Sequence, residues 1–152
     1  MRDFKIPDLG EMKRQDVVLD YAFQLNARFD PPHAYRSAKG GRFYQAITGG
    51  TVRNPRLTAD VYADSGGAFD TLQVGNGVRN VNAHFMLKAE NGDYIYVEHV
   101  GYHRPDGYYR VIAYIDAPTG GPYDWLNGTT FVVTTTESQD MRDVIFSYYI
   151  AN

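Results

Sequence analysis

The chain has 152 residues, a net charge of -3 and no cysteine. This length predicts a single domain with a sizeable core, and the slightly negative charge argues against a nucleic-acid partner. The absence of cysteine excludes disulfides, thiolate catalysis and cysteine metal sites.

Residues 1–16 form an N-terminal segment ahead of the first patterned stretch. This segment opens with MRDFKIPDLG, which has no hydrophobic run after its charges and therefore does not resemble a secretory signal. No stretch of the chain approaches the roughly 20 apolar residues that a membrane-spanning helix needs. We therefore expect a cytoplasmic protein without a membrane partner, with residues 17–152 as its single domain.

Segments of alternating apolar and polar residues, separated by Gly, Pro, Asn and Asp, follow to the end of the chain. In chain order they are DVVLDYAFQLNARF, RFYQAITGGTV, RLTADVYAD, TLQVG, NVNAHFMLKA, DYIYVEHVGYH, GYYRVIAYIDA, GTTFVVTTTES and RDVIFSYYIAN, with PPHAYRSAKGG as a break after the first. Asn91-Gly92 predicts a tight hairpin, because both residues adopt positive φ at low cost. The pattern predicts roughly eight to ten antiparallel strands in a sandwich or barrel, with little helix.

Two of these strands carry histidines whose faces follow from the period of two. On NVNAHFMLKA, His84 shares a face with Asn82, opposite the apolar residues of that strand. On DYIYVEHVGYH, His99 lies among the apolar residues. The hairpin at Asn91-Gly92 joins the two strands, and we hypothesise that it brings His84 and His99 onto one face. The alternation leaves open whether that face is lumen or solvent.

The stretch PYDWLNGTTF holds the only tryptophan, Trp125. Its indole offers a large rigid surface and an N–H donor to a ligand pocket. Alternatively, Trp125 and Tyr123 plug one end of a barrel, and both interpretations stay open. For Asn127, satisfying the backbone of a turn is a more frequent role than contacting a substrate.

The ordered motifs GGRFYQAITGGTVRNPRL, NAHFMLKAENGDYI and YDWLN resemble the family called domain of unknown function 3237, which consists of small microbial β-barrel proteins. The resemblance covers about residues 17–150. It implies an all-β, closed or nearly closed, calycin-like antiparallel barrel whose lumen is partly polar. It implies no settled activity, although members occur near aromatic and natural-product metabolism. The recurring family residues correspond here to Arg42, Gly49-Gly50-Thr51, Asn91-Gly92, Tyr123, Trp125 and Asn127.

The chain departs from the family pattern where chemistry is at stake. The family usually has Gly-Ala-Asp-Trp where this chain reads GGAFD, so Phe69 occupies the acidic position and Asp70 follows one place later. His84 stands where the family usually has an arginine. If the acid and the arginine of the family act together, this chain has changed or lost that chemistry.

We predict Arg42, His84 and Asp70 as catalytic residues. The planar guanidinium of Arg42 suits a carboxylate or an enolate, with a structural ion pair as the alternative. The imidazole of His84 exchanges protons near neutral pH, although a single histidine is more often structural. Asp70, and equally Glu98, acts as a general base only if it is buried, since burial raises a carboxylate pKa. The predicted ligand-binding residues are Asn82, His99, Tyr44, Tyr123, Trp125 and Asn127.

Two classes of function remain. One is a cofactor-free enzyme that moves protons in an aromatic-lined lumen, as an isomerase, cyclase or lyase of an oxygenated aromatic or polyketide-like metabolite. The other is a carrier or sensor barrel that only binds such a molecule. Arg, His and Asn in a lumen cost desolvation unless a polar ligand meets them, which favours the enzyme. We expect a small-molecule partner, no cofactor and, without HxH or HExxH spacing, no metal; a homodimer stays open.

Overall fold

The structure is a computed structural model that describes Gly10 and residues 15–152. Most of the N-terminal segment predicted for residues 1–16 therefore lies outside the described residues. The described part of the chain forms ten strands and a short 3-10 helix, none of it a helix long and apolar enough to cross a membrane. The strands are β1 (Leu19–Phe29), β2 (His33–Ser37), β3 (Gly40–Asn54), β4 (Leu57–Val61), β5 (Gly67–Leu72), β6 (Arg79–Ala89), β7 (Tyr94–His103), β8 (Tyr109–Asp116), β9 (Phe131–Glu137) and β10 (Asp143–Ala151), and the 3-10 helix is Asp124–Gly128.

Eight of the strands close into an antiparallel barrel, which confirms the predicted fold class. Around the barrel the order is β1, β10, β9, β8, β7, β6, β4 and β3, and β3 pairs with β1 to complete the circle. The other two strands extend one end of the wall. β2 pairs with the first half of β3, and β5 lies between β3 and β6.

Alternation along each strand separates an inner face from an outer face. On β6, every odd-numbered residue is buried and every even-numbered residue is half-buried or exposed. The core is largely aromatic: Phe23 stacks on Tyr148 with ring centroids 4.6 Å apart and meets Phe131 edge-on at 5.8 Å. Each buried aromatic or large aliphatic side chain contributes about 1.5–3 kcal/mol to stability.

Two details of the predicted strand order are wrong. The predicted break PPHAYRSAKGG contains β2, whose residues are all exposed, so that strand carries no alternation to detect. The predicted strand TLQVG is displaced, because β5 runs over Gly67–Leu72 instead. A Cβ atom on Gly67 would collide with the carbonyl oxygen of Gln45, so glycine is needed for close pairing at a position that reads as a turn.

The hairpin predicted at Asn91-Gly92 is present between β6 and β7. Gly92 has φ 91° and its N–H donates to the Ala89 carbonyl at 2.9 Å. The resulting register places His84 opposite Glu98 and His99 opposite Ala83. His84 therefore lies on the outer face and His99 on the inner face. The hypothesis that the two histidines share a face is wrong.

Candidate functional site

One end of the barrel is closed by the 3-10 helix, and we call it the plugged end. Tyr123 and Leu126 are buried in the core there, while Trp125 is partly buried and meets Phe131 edge-on at 6.1 Å. These contacts are those expected of a plug. The use of Tyr123 or Trp125 as a ligand contact stays a prediction.

Asn127 ties the 3-10 helix to the end of β8. Its side-chain oxygen accepts a hydrogen bond from the Ala117 N–H at 2.8 Å. Its amide nitrogen donates to the Ala117 carbonyl at 3.0 Å and to Asp124 Oδ1 at 2.8 Å. Both amide protons and the oxygen are thus engaged within the turn. This is the backbone-satisfying role that the sequence offered as the alternative to a substrate contact.

The opposite end of the barrel collects ionisable side chains, and we call it the polar end. Antiparallel pairing brings the beginning of one strand beside the end of the next, so His103 at the end of β7 lies opposite both Arg79 and Tyr109. Asp70 on β5 is 1% exposed and Arg79 is 8% exposed. Glu137 lies at the same end, at the last position of β9.

Asp70 and Arg79 form an ion pair inside the barrel, with 3.0 Å between Asp70 Oδ2 and Arg79 Nε. The backbone N–H of Asn82 donates to the other carboxyl oxygen, Oδ1, at 2.8 Å. Although Nε and Oδ2 are close, the Nε–H bond of Arg79 does not point at Oδ2, so these two atoms form no hydrogen bond. These two atoms and Thr135 Oγ1 are the buried side-chain polar atoms without a hydrogen bond among the described residues. Such atoms are few in native proteins, and each calls for an explanation.

Burial raises the pKa of the Asp70 carboxyl, and the opposing effects of the Asn82 N–H and the Arg79 charge are smaller. This is the condition under which the sequence predicted Asp70 to act as a base. Burial also raises the pKa of Glu137, against the lowering effect of Arg79. Both carboxyl groups therefore titrate closer to neutral pH than exposed carboxyl groups do.

The two remaining titratable groups of the polar end are held neutral around pH 7. Burial raises the pKa of Tyr109 to about 12, with Arg79 opposing the shift. Burial, and secondarily the charge of Arg79, lowers the pKa of His103. The guanidinium of Arg79 itself lies 4.1 Å from the ring centre of Phe43 and 5.6 Å from that of Tyr109. These rings fix the orientation of the one buried cation of the described residues.

A cavity of about 20 Å³ lies beside this ion pair and is lined in part by Gln45, Asp70, Arg79 and Tyr109. That volume accommodates about one water-sized group. Gln45 is already engaged, since its amide nitrogen donates to the carbonyls of Asp30 at 3.0 Å and Met141 at 2.6 Å. The polar end can therefore accept one oxygen-sized group next to Asp70 and Arg79.

A groove of about 440 Å³ is larger but lies elsewhere, on the outer surface near β4. It is lined by the exposed ion pair of Arg53 and Asp60 and by Lys88. None of these three groups is buried. The small cavity at the polar end is the stronger candidate, because perturbed groups mark functional sites better than volume does.

His99 is a further buried titratable group of the lumen. Its Nε2 lies 2.7 Å from the hydroxyl of Tyr148, and the rings of Phe85 and Phe146 pack edge-on against the imidazole. Burial lowers the pKa of His99 to about 3, so the ring is neutral at physiological pH. His99 lines the small cavity, and its predicted contact with a ligand stays a prediction.

The structure separates the predicted site residues into three groups. Asp70 and His99 lie in the lumen, and Tyr123, Trp125 and Asn127 lie at the plugged end. The outer face carries Arg42, Tyr44, Asn82 and His84. The sequence left open whether His84 faces the lumen, and the structure places it on the outer face, where its ring stacks on exposed Phe69 with 4.9 Å between centroids. A catalytic role of Arg42 or His84 stays a prediction, and both residues lie on the opposite face of the sheet from Asp70.

Sequence reasoning missed Arg79, Tyr109 and Glu137. Each continues the inward alternation of an apolar strand face at one end of that strand: Arg79 precedes Val81, and Tyr109 precedes Val111. A polar residue in register with an apolar face was the available signal. For Arg79 it was overlooked because β6 was predicted to begin one residue late, whereas Tyr109 and Glu137 lay inside the predicted strands GYYRVIAYIDA and GTTFVVTTTES.

Within the described residues, no group of three or more His, Asp or Glu side chains is arranged to hold a metal ion.

The family described as protein of unknown function (DUF3237) matches residues 17–151. The chain belongs to this family. The match confirms the resemblance seen in the sequence motifs, and it assigns no activity. Among curated proteins, none matches the chain.

Solved structures share the DUF3237 barrel at low sequence identity. A beta-barrel like protein from Acinetobacter baumannii AYE is 18% identical with TM-score 0.77, over 93% of this chain and 100% of that one. A protein of unknown function from Rhodopseudomonas palustris is 21% identical with TM-score 0.78, over 91% and 100%. An enzyme from Penicillium herquei is 20% identical with TM-score 0.73, over 93% and 99%. At these identities the likeness establishes the fold.

Proposed function

We propose that this barrel is a cofactor-free enzyme that moves a proton within a small oxygenated aromatic or polyketide-like molecule, as an isomerase, cyclase or lyase. The observation that carries the proposal is the buried Asp70 carboxyl, whose pKa is raised and whose Oδ2 faces Arg79 without a hydrogen bond. Paired groups with environments of this kind recur where enzymes perform acid–base chemistry.

Asp70 is the proposed general base. Its Oδ1 is held by the Asn82 N–H, which leaves Oδ2 to take a proton from a C–H or O–H group of the substrate. The carboxyl then becomes neutral, the form that burial favours. Returning the same proton to another atom of the substrate completes an isomerisation or a ring closure. This sequence consumes no oxidant and no reductant.

Arg79 is the proposed electrostatic stabiliser of the charge that develops when Asp70 takes the proton. Its guanidinium is oriented by the Phe43 ring and is mostly shielded from water, so it acts on an enolate or alkoxide oxygen without reorganising. Removing one donor of this type costs roughly 10²–10³ in turnover in well-studied enzymes. The neutral hydroxyl of Tyr109 is a further donor at the same end.

The size of the cavity constrains how a substrate binds. About 20 Å³ receives one carbonyl or hydroxyl oxygen, while the rings of an aromatic metabolite remain at the mouth of the barrel. This geometry favours substrates that present an oxygen at their edge. The Penicillium herquei enzyme supports the view that this fold carries catalysis, although by analogy of fold alone.

Deuterium exchange tests the proposal before the natural substrate is known. The protein is incubated in D₂O with a panel of aryl ketones and phenolic ketones, and exchange at carbon is read by mass spectrometry. We expect catalysed exchange for at least one compound, and its loss in Asp70→Asn. Asp60→Asn is the matched control, because Asp60 is an exposed carboxylate in an ion pair with Arg53 on the outer face.

The carrier or sensor is the alternative, since a buried ion pair is also a polar anchor for a ligand. Native mass spectrometry of freshly purified protein would identify such a ligand. If a compound binds and Asp70→Asn binds it equally well without any exchange by either protein, the barrel is a carrier and the enzymatic proposal is wrong.

A further inference from the structure

On the outer face of β3, β5, β6, β7 and β8, exposed aromatic and aliphatic side chains surround Phe69 and form a surface that we call the outer patch; it consists of Arg42, Tyr44, Phe69, Asn82, Glu98, Val100, Tyr102, Ile112 and Tyr114. Its central row crosses the sheet through Tyr44, Phe69, Val100 and Ile112, which are 41–43% exposed. The register pairs Tyr44 with Phe69 and Val100 with Ile112, and the exposed Asn82 of β6, which pairs with Val100, lies between the two apolar pairs. Tyr102 and Tyr114 flank the row and are more exposed still. A contiguous exposed patch of this kind marks an interaction surface.

The composition of the outer patch is that of a protein interface. Aromatic side chains and arginine are enriched at interfaces and lysine is depleted there. The outer patch combines exposed tyrosines and Phe69 with Arg42, and the lysine on the outer face of β6, Lys88, lies outside it. None of the ion pairs among the described residues crosses the outer patch.

Two opposite charges occupy opposite corners of the outer patch. Arg42 on β3 is exposed and makes no ion pair or hydrogen bond with a described residue. Glu98 on β7 accepts a hydrogen bond from the Tyr96 hydroxyl at 3.2 Å. Phe69 lies between these two charges. Arg42 belongs to the neighbouring row on one side of Phe69, and Glu98, which pairs with His84, belongs to the neighbouring row on the other side.

This diagonal arrangement is self-complementary. In a two-fold symmetric dimer the same patch meets itself, so each residue needs a complement elsewhere on its own surface. A two-fold axis through the region of Phe69 exchanges the two corners and sets Arg42 of one copy over Glu98 of the other. The strands of the two sheets then cross at a steep angle, which is the orthogonal mode of sheet packing.

We propose that the outer patch is a homodimer interface, with Phe69 near the two-fold axis and Arg42 paired with Glu98 of the partner subunit. The partner is therefore a second copy of this chain. The proposal is independent of the chemistry at the polar end, because none of these side chains lies on the inner face.

Sedimentation velocity over a wide protein concentration range tests the interface, beginning with Phe69→Glu. This change brings two negative charges together at the axis, and we expect the dimer to weaken by about 30-fold or more, as for a central interface residue. Tyr94→Glu is the matched control. Tyr94 is an exposed aromatic packed against Tyr62 outside the outer patch, and its replacement leaves the dimer unchanged.

Charge reversal provides a second test that does not depend on Phe69. Arg42→Glu and Glu98→Arg each place like charges together and weaken the dimer, whereas the double variant restores it. Circular dichroism on every variant verifies the fold. A wild-type protein that remains monomeric at all concentrations overturns the proposal and leaves the surface to a different partner. A dimer that none of these variants weakens also overturns it, because its interface then lies elsewhere.

Discussion

Strand β8 runs from Tyr109, beside the ion pair of Asp70 and Arg79, to Asp116, beside the 3-10 helix that carries Leu126. At the helix end the barrel is sealed by buried apolar and aromatic groups, and Asn127 engages both its amide protons and its oxygen. At the other end, three buried side-chain polar atoms make no hydrogen bond among the described residues. The same wall of strands thus ends in two different chemical environments.

The contrast separates stability from function. An apolar plug contributes stability without the cost of desolvating a charged group, as the inward packing of Leu126 illustrates. A buried carboxylate beside an arginine gains little net stability, because desolvation offsets the attraction between the charges. On the proposed function, we expect removal of the polar-end residues to affect activity more than stability.

The largest expected effect is at Asp70. Asp70→Asn keeps the shape of the side chain and removes its ability to accept a proton, so turnover falls by about 10²–10⁴-fold. Stability at neutral pH is retained or higher, since the raised pKa of Asp70 means that the fold disfavours its ionised form. Single-turnover rates and thermal melts on the same preparation measure both. Unchanged rates with a collapsed melting temperature would make the polar end structural.

Leu126 provides the opposite test at the plugged end. Leu126→Ala leaves a cavity in a fully buried position and costs about 2–5 kcal/mol of unfolding free energy. Activity per folded molecule stays the same, because no titratable group moves. Urea denaturation followed by circular dichroism measures the loss of unfolding free energy, and Val74→Ala at an exposed position is the control. Loss of activity without loss of stability would contradict the division between the two ends.

The buried His99 makes the free energy of unfolding depend on pH. Its pKa is about 3 in the fold and near 6.5 when unfolded, so the unfolded chain binds more protons between these values. The contribution of His99 to stability therefore falls as the pH decreases below 6.5, by about 2 kcal/mol near pH 5. His99→Gln does not titrate, and its stability between neutral pH and about pH 5 is expected to be flatter by that amount. Denaturant titrations of the wild type and of His99→Gln, at neutral pH and at about pH 5, measure this difference.

The smallest expected effect concerns Trp125. The sequence hypothesis of a ligand contact predicts a shift or quenching of its emission when a ligand binds. The position of Trp125 at the plugged end predicts instead that a ligand held at Asp70 leaves the emission unchanged. Fluorescence titration with a compound that passes the exchange screen distinguishes the two. A saturable shift that persists in Asp70→Asn would place a ligand at the plugged end.

Much of this fold follows from local patterns. The alternating strands, the Asn91-Gly92 hairpin and the barrel class were predictable, because strand period and turn chemistry act over a few residues. The strand β2 was not, since a fully exposed strand has no apolar face. For the site, the sequence made the role of Asp70 conditional on its burial, and the structure shows it buried. The arginine beside it is Arg79, whereas the arginine singled out from the sequence was Arg42.

The error over His84 has a simple physical origin. The apolar faces of β6 and β7 must both point inward, and His99 shares the apolar face of its strand while His84 opposes the apolar face of its own. The register across the hairpin, which pairs His84 with Glu98, enforces the separation. Matching the two apolar faces first would have assigned the histidines to opposite sides.

By itself the sequence determined which residues share a face of each strand, because successive side chains alternate whatever the strand pairs with. It also determined where the chain turns. Only the tertiary structure decided that Asp70, Arg79, Tyr109 and Glu137 meet, because they stand on four strands far apart in the chain and converge when the barrel closes. The raised pKa of Asp70 has the same origin, since desolvation depends on what the other strands place around the carboxyl group.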